Sequence, residues 1–467
     1  MLFLDDSPPA SVVPSHDPRV DATVNVVNWE ILRALACQPY PAQSAYWGDQ
    51  ISGGHNVPDT VVVRVPLRLP NNLTVEHSEA LCSRIASEVA TMQYIEAYTS
   101  IPIPHILHYN TEADGGGAAS PYMIMTKVEG SPLCFVWDKM EDTKRDAVLR
   151  QIVDIYLELS SHRFDKIGAL FKRDGVGKDA WYLKPLSYIT DPDYPSPGQS
   201  SLGTMHSSGT DHWMAYSNAY LEKISNEDFG SDMKPYFYAH VWFLQSLIPS
   251  LYDNSLDAKG FPLMPADFHS QNIMVTDVDS VPRIVAVIDW EFSSTAATSS
   301  FAQYPLFIVD HPQWDDDHPL RSRNLRDQAK FNVFMNEAEG RRKPDGGHRL
   351  SNAFANCYNL YLFEQSIQYP PHGDVLYYQT TSRFDKEVKV WNELSTLLHD
   401  EVSDKSFTRQ SIKDFILANR WRLAGDSKAL KWVASEDKLN ACLHTSPRLP
   451  HLTYLQTNSC SPTSDQQ

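Results

Sequence analysis

The chain has 467 residues, 42% of them hydrophobic, and a formal net charge of −18 at pH 7. That length and apolar content supply cores for two or three domains and exclude global disorder. The acidic balance excludes a protein whose main task is gripping nucleic acid or an anionic membrane, because both need cationic surface, whereas a cationic or neutral small molecule suits it.

The cysteines, Cys37, Cys82, Cys134, Cys357, Cys442 and Cys460, are scattered without CxxC or Cys/His spacing. Neither a zinc site nor a disulfide framework is indicated, which points to a reducing compartment. The opening MLFLDDSPPA carries two acids and an apolar run too short for a signal peptide or a membrane span. We therefore expect a soluble, cytosolic protein with no membrane partner.

Along the chain, residues 1–20 and 445–467 are rich in Pro, Ser and polar residues and are expected to be flexible. The run TVVVRV, Thr60 to Val65, predicts a strand. A helix follows over Val75 to Ala97, in which Leu81, Ile85, Val89 and Met92 recur as one buried stripe. Glu88 points into that stripe. A carboxylate there needs a cation, and Arg64 of the preceding strand is a candidate; the alternative is an edge glutamate that reaches water.

Ile106 to Tyr109 and Tyr122 to Thr126 predict a second strand pair around the turn-rich TEADGGGAASP, with KVEGSPL as a connector. Helical texture then takes over: Val148, Ile152, Ile155, Tyr156 and Leu159 share a face, and Tyr236 to Leu251 is dominated by apolar residues. We place the boundary near Thr126 to Gly130, giving a strand-containing lobe over 21–126 and a helical lobe over 127–444. The Pro/Gly/Ser-rich stretch Pro185 to Asp211 has too few apolar residues for an element and predicts a surface loop, with the role of a lid open.

The stretch PADFHSQNIMVTDVDSVPRIVAVIDWEF, Pro265 to Phe292, carries the chemistry. Ile273 to Thr276 and Arg283 to Ile288 predict a hairpin across TDVDSVP. It brings Asn272, before its first strand, to the same end as Asp289, after its second, with Asp267 on the loop just upstream. An amide and a carboxylate oxygen suit Mg²⁺, which keeps waters and nucleotide phosphate oxygens as its other ligands. Asp267 is placed to accept the proton of an attacking hydroxyl.

The spacing Asp-x-x-x-x-Asn, a hairpin, then Ile-Asp-Trp-Glu resembles the aminoglycoside phosphotransferase family, the small-molecule branch of the protein-kinase-like fold. The resemblance covers roughly residues 45 to 300. It implies an α+β, bilobal architecture, ATP and Mg²⁺ as cofactors, and a small-molecule acceptor as partner. Asp267 would be the catalytic base, Asn272 and Asp289 the metal ligands. VVVRV resembles the strand bearing the phosphate-contacting cation, here Arg64, with Glu88 as its helix partner. YMIMTKVEG resembles the hinge beneath the adenine, which puts Met125 and Thr126 at the base.

This chain departs from the family pattern in three places. Pro265 stands where the family has His two residues before the base, Arg64 replaces Lys, and YWGDQISGGHN offers only Gly48, Gly53 and Gly54 as a nucleotide-covering loop. Those departures leave a nucleotide-binding pseudokinase with a regulatory role as the alternative. A protein kinase is disfavoured, since Trp290-Glu291 stands where Phe-Gly would follow the metal acid.

Beside these, His269 and Gln271 are expected to serve loop geometry, and Trp290 and Phe292 to pack behind Asp289. The acidic stretch Asp310 to Asp317, flanked by His311 and His318, is expected to be a solvated loop, with a pocket for an amine-bearing substrate as the alternative. Phe331, Phe334, Tyr358, Tyr361 and Phe363 belong to core-facing helices.

Overall fold

The structure is a computed structural model that describes residues 18–38, 61–68, 75–175, 177, 180–186, 203–226, 241, 244–245, 247–249, 251–310, 314, 317–342, 349–354 and 357–368. The expected glycine-bearing loop at 46–56, the tail, and the middle of the Pro/Gly/Ser-rich stretch lie outside these residues. So do His311, Asp315 and Asp316. By contact the chain divides into two compact units. One comprises the chain up to Ile189 with Lys259–Val309 and Ser322–Asn352; the other comprises Thr190–Ala258, Asp310–Arg321 and the chain from Ala353 onward.

The first unit opens with two helices where the sequence pattern indicated none: α1 (Pro18–Val26) and α2 (Trp29–Cys37). Helix α1 begins inside the segment expected to be flexible, with Pro18 at its start, where a missing N–H costs nothing. Asn28 caps α2 by accepting a hydrogen bond from Ile31 N. Strand β1 (Val61–Arg64) follows, then α3 (Val75–Tyr98), β2 (Ile106–Asn110) and β3 (Tyr122–Thr126). The three strands form an antiparallel sheet in the order β1-β3-β2, with Arg64 opposite Met123.

Side-chain alternation along β1 decides which face does what. Val63 and Val65 join Leu32 and Ala36 of α2, with Tyr122 and Ile124 of β3, in one buried cluster. Arg64 must therefore project from the opposite face, toward α3. There Leu81, Ile85, Val89 and Met92 are all buried, as their spacing predicted.

A short strand β4 (Ser131–Pro132) sits in the expected connector, entered through Gly130 at φ 140°. A Cβ at that glycine would lie 2.8 Å from Val275 O, so the close approach of β4 to the hairpin needs a residue without a side chain. Helix α4 (Asp142–Ser161) buries Val148, Ile152, Ile155, Tyr156 and Leu159. Strands β5 (Arg163–Phe164), β6 (Ala169–Lys172) and β7 (Trp181–Lys184) come next. Helix α5 (Gly209–Asn226) belongs to the second unit and begins within the segment expected to be loop.

Strands β8 (Phe261–Met264), β9 (Ile273–Thr276), β10 (Arg283–Val287) and β11 (Ser294–Thr295) complete the first unit's sheets. β9 and β10 form the predicted hairpin, extended by β4, while β5-β8-β11-β6-β7 make a second sheet. Helix α4 fastens the hairpin from beside: Gln151 Oε1 accepts from Ile284 N at 2.8 Å and Gln151 Nε2 donates to Pro282 O at 2.9 Å. Lys144 Nζ donates to the carbonyls of Val278 and Asp279 in its turn.

Helices α6 (Arg321–Arg341) and α7 (Cys357–Gln368) follow. Phe331, Phe334, Tyr361 and Phe363 are buried and Tyr358 half-buried, close to expectation. Asp310 pairs with Arg321 at 3.3 Å, so this part of the acidic stretch is neutralised within the chain. No helix among the described residues is long and apolar enough to cross a membrane.

Candidate functional site

The end of β8 delivers Pro265, Ala266 and Asp267, and the loop then turns back into a short 3-10 turn, Ser270–Asn272. Phe268 anchors this loop, its buried ring meeting Tyr156 of α4 edge-on at 5.5 Å. His269 N donates to Asp267 O, Asn272 N donates to His269 O, and His269 Nδ1 accepts from Gln271 N. The imidazole thus serves loop geometry, as expected.

Asn272 is the pivot. Its Nδ2 donates both to Asp267 O at 3.0 Å and to Asp267 Oδ2 at 2.9 Å. With both amide protons committed, the amide oxygen is the atom left to accept or to ligate. The Asn272 carbonyl accepts from Ile288 N at 2.9 Å, which sets Asp289 beside it at the end of the hairpin. The sequence-predicted trio of Asp267, Asn272 and Asp289 is therefore brought together.

Asp289 has φ 60°, a left-handed backbone that is costly for a side chain other than glycine. Trp290 behind it is fully buried and donates through Nε1 to Val287 O. Phe292, expected to pack there too, is 47% exposed instead. The strand ends at Val287 and Phe292 lies in the turn that follows, itself at φ 57°, so strand alternation does not carry its ring inward.

Arg64 joins the distant parts. Its Nε donates to Glu88 Oε2 at 3.0 Å and its Nη2 to Asp289 Oδ1 at 2.7 Å, while Nη2 also contacts Glu291 Oε2. Glu88 is only 2% exposed, so the buried ion pair is found and the water-reaching alternative is not. Burial pushes the Glu88 carboxyl up, partly offset by Arg64. For Arg64, burial pulls downward, but Glu88 and Asp289 outweigh it and leave the guanidinium raised.

Two members of this cluster were not picked out from the sequence as site residues. Glu291 pairs with both Arg64 and Arg84, and Arg84 lies one turn before Glu88 on α3. Burial, and then the nearby Arg64, lower the Arg84 guanidinium to about 10. The signal available was spacing, because residues four apart on a helix share a face.

Met125 and Thr126, expected beneath the adenine, end β3. Met125 is buried opposite Val62. Thr126 N donates to His105 O and its Oγ1 accepts from His105 N, so these two groups serve the β2–β3 corner. Among the described residues no group of three His, Cys, Asp or Glu side chains is placed to hold a metal ion.

Against known proteins, the model of the phosphotransferase enzyme family matches residues 60–297, just over half of the chain. Altered inheritance of mitochondria protein 9 of Zygosaccharomyces rouxii is 29% identical over 140 residues, 27% of this chain and 21% of that protein. A subtelomeric hrmA-associated cluster protein of Aspergillus fumigatus is 30% identical over 88 residues, 19% of this chain and 17% of its own length. The chain thus spans about a fifth of the length of the curated relatives it matches.

Among solved structures, the GDP complex of wild-type aminoglycoside 2′-phosphotransferase-IIIa aligns with 81% of this chain and 100% of its own at 13% identity and a TM-score of 0.39. The GDP and kanamycin complex of APH(2″)-IIIa aligns with 72% of this chain and 97% of its own at 14% identity and a TM-score of 0.38. Superpositions this loose give no residue-level correspondence.

The comparisons overturn the cytosolic expectation. Several of the relatives, those of Zygosaccharomyces rouxii and Debaryomyces hansenii among them, are named mitochondrial proteins. Scattered cysteines bear on redox state, which the cytosol shares with other compartments, and do not give an address.

Proposed function

We propose, from the premise that this chain belongs to the phosphotransferase enzyme family, that it transfers the γ-phosphate of ATP to a hydroxyl of a small molecule, with Mg²⁺ as companion ion. Its fold is the α+β, protein-kinase-like one that the sequence led us to expect. The observation that carries the reading is the double anchoring of Asn272, which ties the base loop to the hairpin end that presents Asp289.

The donor set fits the ion. One carboxylate and one amide oxygen are hard ligands, few enough for an ion that fills its shell with water and phosphate. Asn272 Oδ1 and Asp289 would hold it, and it would neutralise charge on the phosphate oxygens. The chain's residues do the rest. Asp267, exposed and steadied by Asn272, receives the acceptor's hydroxyl proton as that oxygen bonds to the γ-phosphorus. The bond from the γ-phosphorus to its bridging oxygen breaks, and ADP leaves with the electron pair. Arg64 holds Asp289 while Glu88 holds Arg64, so the cationic end of the site is set before substrate arrives.

The adenine seat is proposed at the end of β3, beside Met125 and Thr126. The chain's acidity favours a cationic or neutral acceptor. The relatives' names favour the mitochondrion as location, which a fluorescent fusion imaged against an organelle marker checks.

Thermal-shift titration is the first test of the reading. Mg-ATP is expected to raise the melting temperature of the parent and not of Asp289→Ala, and an acceptor screen to release ADP in the parent and not in Asp267→Asn. If the two proteins respond alike to Mg-ATP, the nucleotide site is misplaced. If ATP binds but no amine, sugar or alcohol yields ADP and Asp267→Asn changes nothing, a regulatory nucleotide-binding protein is the better description.

A further inference from the structure

Two arginines meet at this end of the site, and one carboxylate lies between them. Arg64 leaves β1 on the face toward α3, and Arg84 leaves α3 one turn before Glu88. Glu291 bridges them through separate oxygens, Oε2 to Arg64 Nη2 and Oε1 to Arg84 Nη2. A two-oxygen anion held between guanidinium forks is also the way such forks hold a phosphate group.

Arg64 has no need of this third acid. Glu88 and Asp289 already meet its Nε and Nη2. Arg84, in turn, is not fully met by Glu291. Among the described residues its Nε is buried without a hydrogen-bond acceptor, and its guanidinium lies over the exposed Phe292 ring, 4.6 Å from the centroid. A desolvated cation with a donor to spare is costly unless another acceptor arrives.

We propose that Arg64 and Arg84 form a two-arginine clamp for the polyphosphate of the nucleotide, and that Glu291 is its internal competitor, seated between the arginines until phosphate oxygens replace it. This deepens, and rests on, the nucleotide reading of the same site. With Glu291 seated, two cations face three carboxylates: Glu88, Asp289 and Glu291. Withdrawn toward solvent, Glu291 leaves two against two, and an incoming phosphate finds free the donors of Arg64 Nη2 and Arg84 Nη2 that Glu291 had held. Glu291 is only partly buried and sits in the turn that ends at exposed Phe292, which gives it a way out.

Calorimetric titration of the full chain with Mg-ATP, and separately with inorganic tripolyphosphate, tests the clamp. Glu291→Gln keeps the shape of the bridge and removes its charge, so both ligands are expected to bind about tenfold tighter, the scale of one charge-assisted hydrogen bond. Arg84→Met is expected to weaken both by about tenfold, with KM for the nucleotide rising and kcat little changed. Arg150→Gln, at an exposed arginine paired with Glu337, is expected to leave both affinities alone.

Should Glu291→Gln and Arg84→Met, both folded by circular dichroism, bind within about twofold of the parent, Glu291 is a structural bridge only and the clamp is overturned. If Arg84→Met does not fold, the isosteric Glu291→Gln decides alone. If tripolyphosphate binding follows Arg84 and Glu291 while Asp289→Ala leaves Mg-ATP affinity unchanged, the clamp stands and the metal-assisted reading falls. If the parent binds neither ligand, both fall.

Discussion

The Asp267–Asn272 loop and the arginine cluster meet at the same candidate site by opposite means. Asp267 and Asn272 are five residues apart and joined by two hydrogen bonds within one loop, with Asp267 open to solvent. Arg64 reaches partners 24, 225 and 227 residues away, and the Glu88 end of its cluster is buried. A group meant to exchange a proton has to stay accessible and is cheap to hold. Groups meant to supply fixed charge gain strength from burial, and the same burial makes each depend on its partner.

The contrast implies that the loop can be disarmed without loosening the fold, whereas the cluster cannot. Asp267→Asn is expected to lower kcat by about 10²- to 10⁴-fold while the urea midpoint stays that of the parent; a shifted midpoint would show that the loop also bears structural load. Arg64→Met leaves buried Glu88 without the cation hydrogen-bonded to it. Denaturant titration is expected to find it destabilised by about 3–5 kcal/mol, with the double variant Arg64→Met/Glu88→Leu recovering much of the loss. No recovery would mean that Arg64 is held by packing more than by charge.

The second unit offers a sharper form of the comparison, because His212 is buried without the partner that Glu88 has. Burial, with His206 adding to it, lowers the His212 imidazole from 6.5 to about 3, and its Nδ1 has no hydrogen-bond partner among the described residues. The unfolded chain therefore takes up the proton first. The stability tied to neutral His212 is complete above pH 6.5 and is lost as pH falls from there toward 3. His212→Phe should flatten that part of the stability-against-pH curve; an unchanged curve would assign the acid limb to other groups.

At the small end stands Arg150–Glu337, an exposed pair at 2.8 Å. Glu337→Gln is expected to shift stability by less than about 1 kcal/mol, and by less still in high salt. A larger change would blur the line between exposed and buried charge on which the comparison rests.

Much of the site was legible in the sequence because its chemistry is local. The hairpin, the Asp-x-x-x-x-Asn spacing and the acid after the second strand all lie within Pro265 to Phe292, where turn residues and strand alternation set geometry over short range. Arg64 and Glu88 were legible for a related reason: a charge inside an apolar stripe asks for its opposite, and the preceding strand held one. Arg84 and Glu291 were harder. Neither breaks an apolar pattern: Arg84 is marked only by its four-residue spacing from Glu88, and Glu291 by nothing until the two are seen together.

Other misses share that cause. Helices α1 and α2 are short, and α2 holds because Leu32 and Ala36 bury against β1 and β3, surface that only the folded sheet provides. Phe292 looked like core because aromatics after a strand usually are, but it lies in a turn beyond the strand, with left-handed residues at Asp289 and at Phe292 itself, and faces solvent.

The sequence by itself pointed to the family and the α+β character, and it singled out Asp267, Asn272, Asp289, Arg64 and Glu88 as candidates, since each is written in spacing or in a charge out of place. Only the tertiary structure decided that Asn272 spends both amide protons on Asp267, that Arg64 is shared among three acids, and that Glu291 stands between two arginines. The last two are contacts between segments far apart in the chain, and their geometry is set by how the sheet, α3 and the hairpin pack, a property that no single segment carries; the first is local, but its side-chain geometry is not written in spacing.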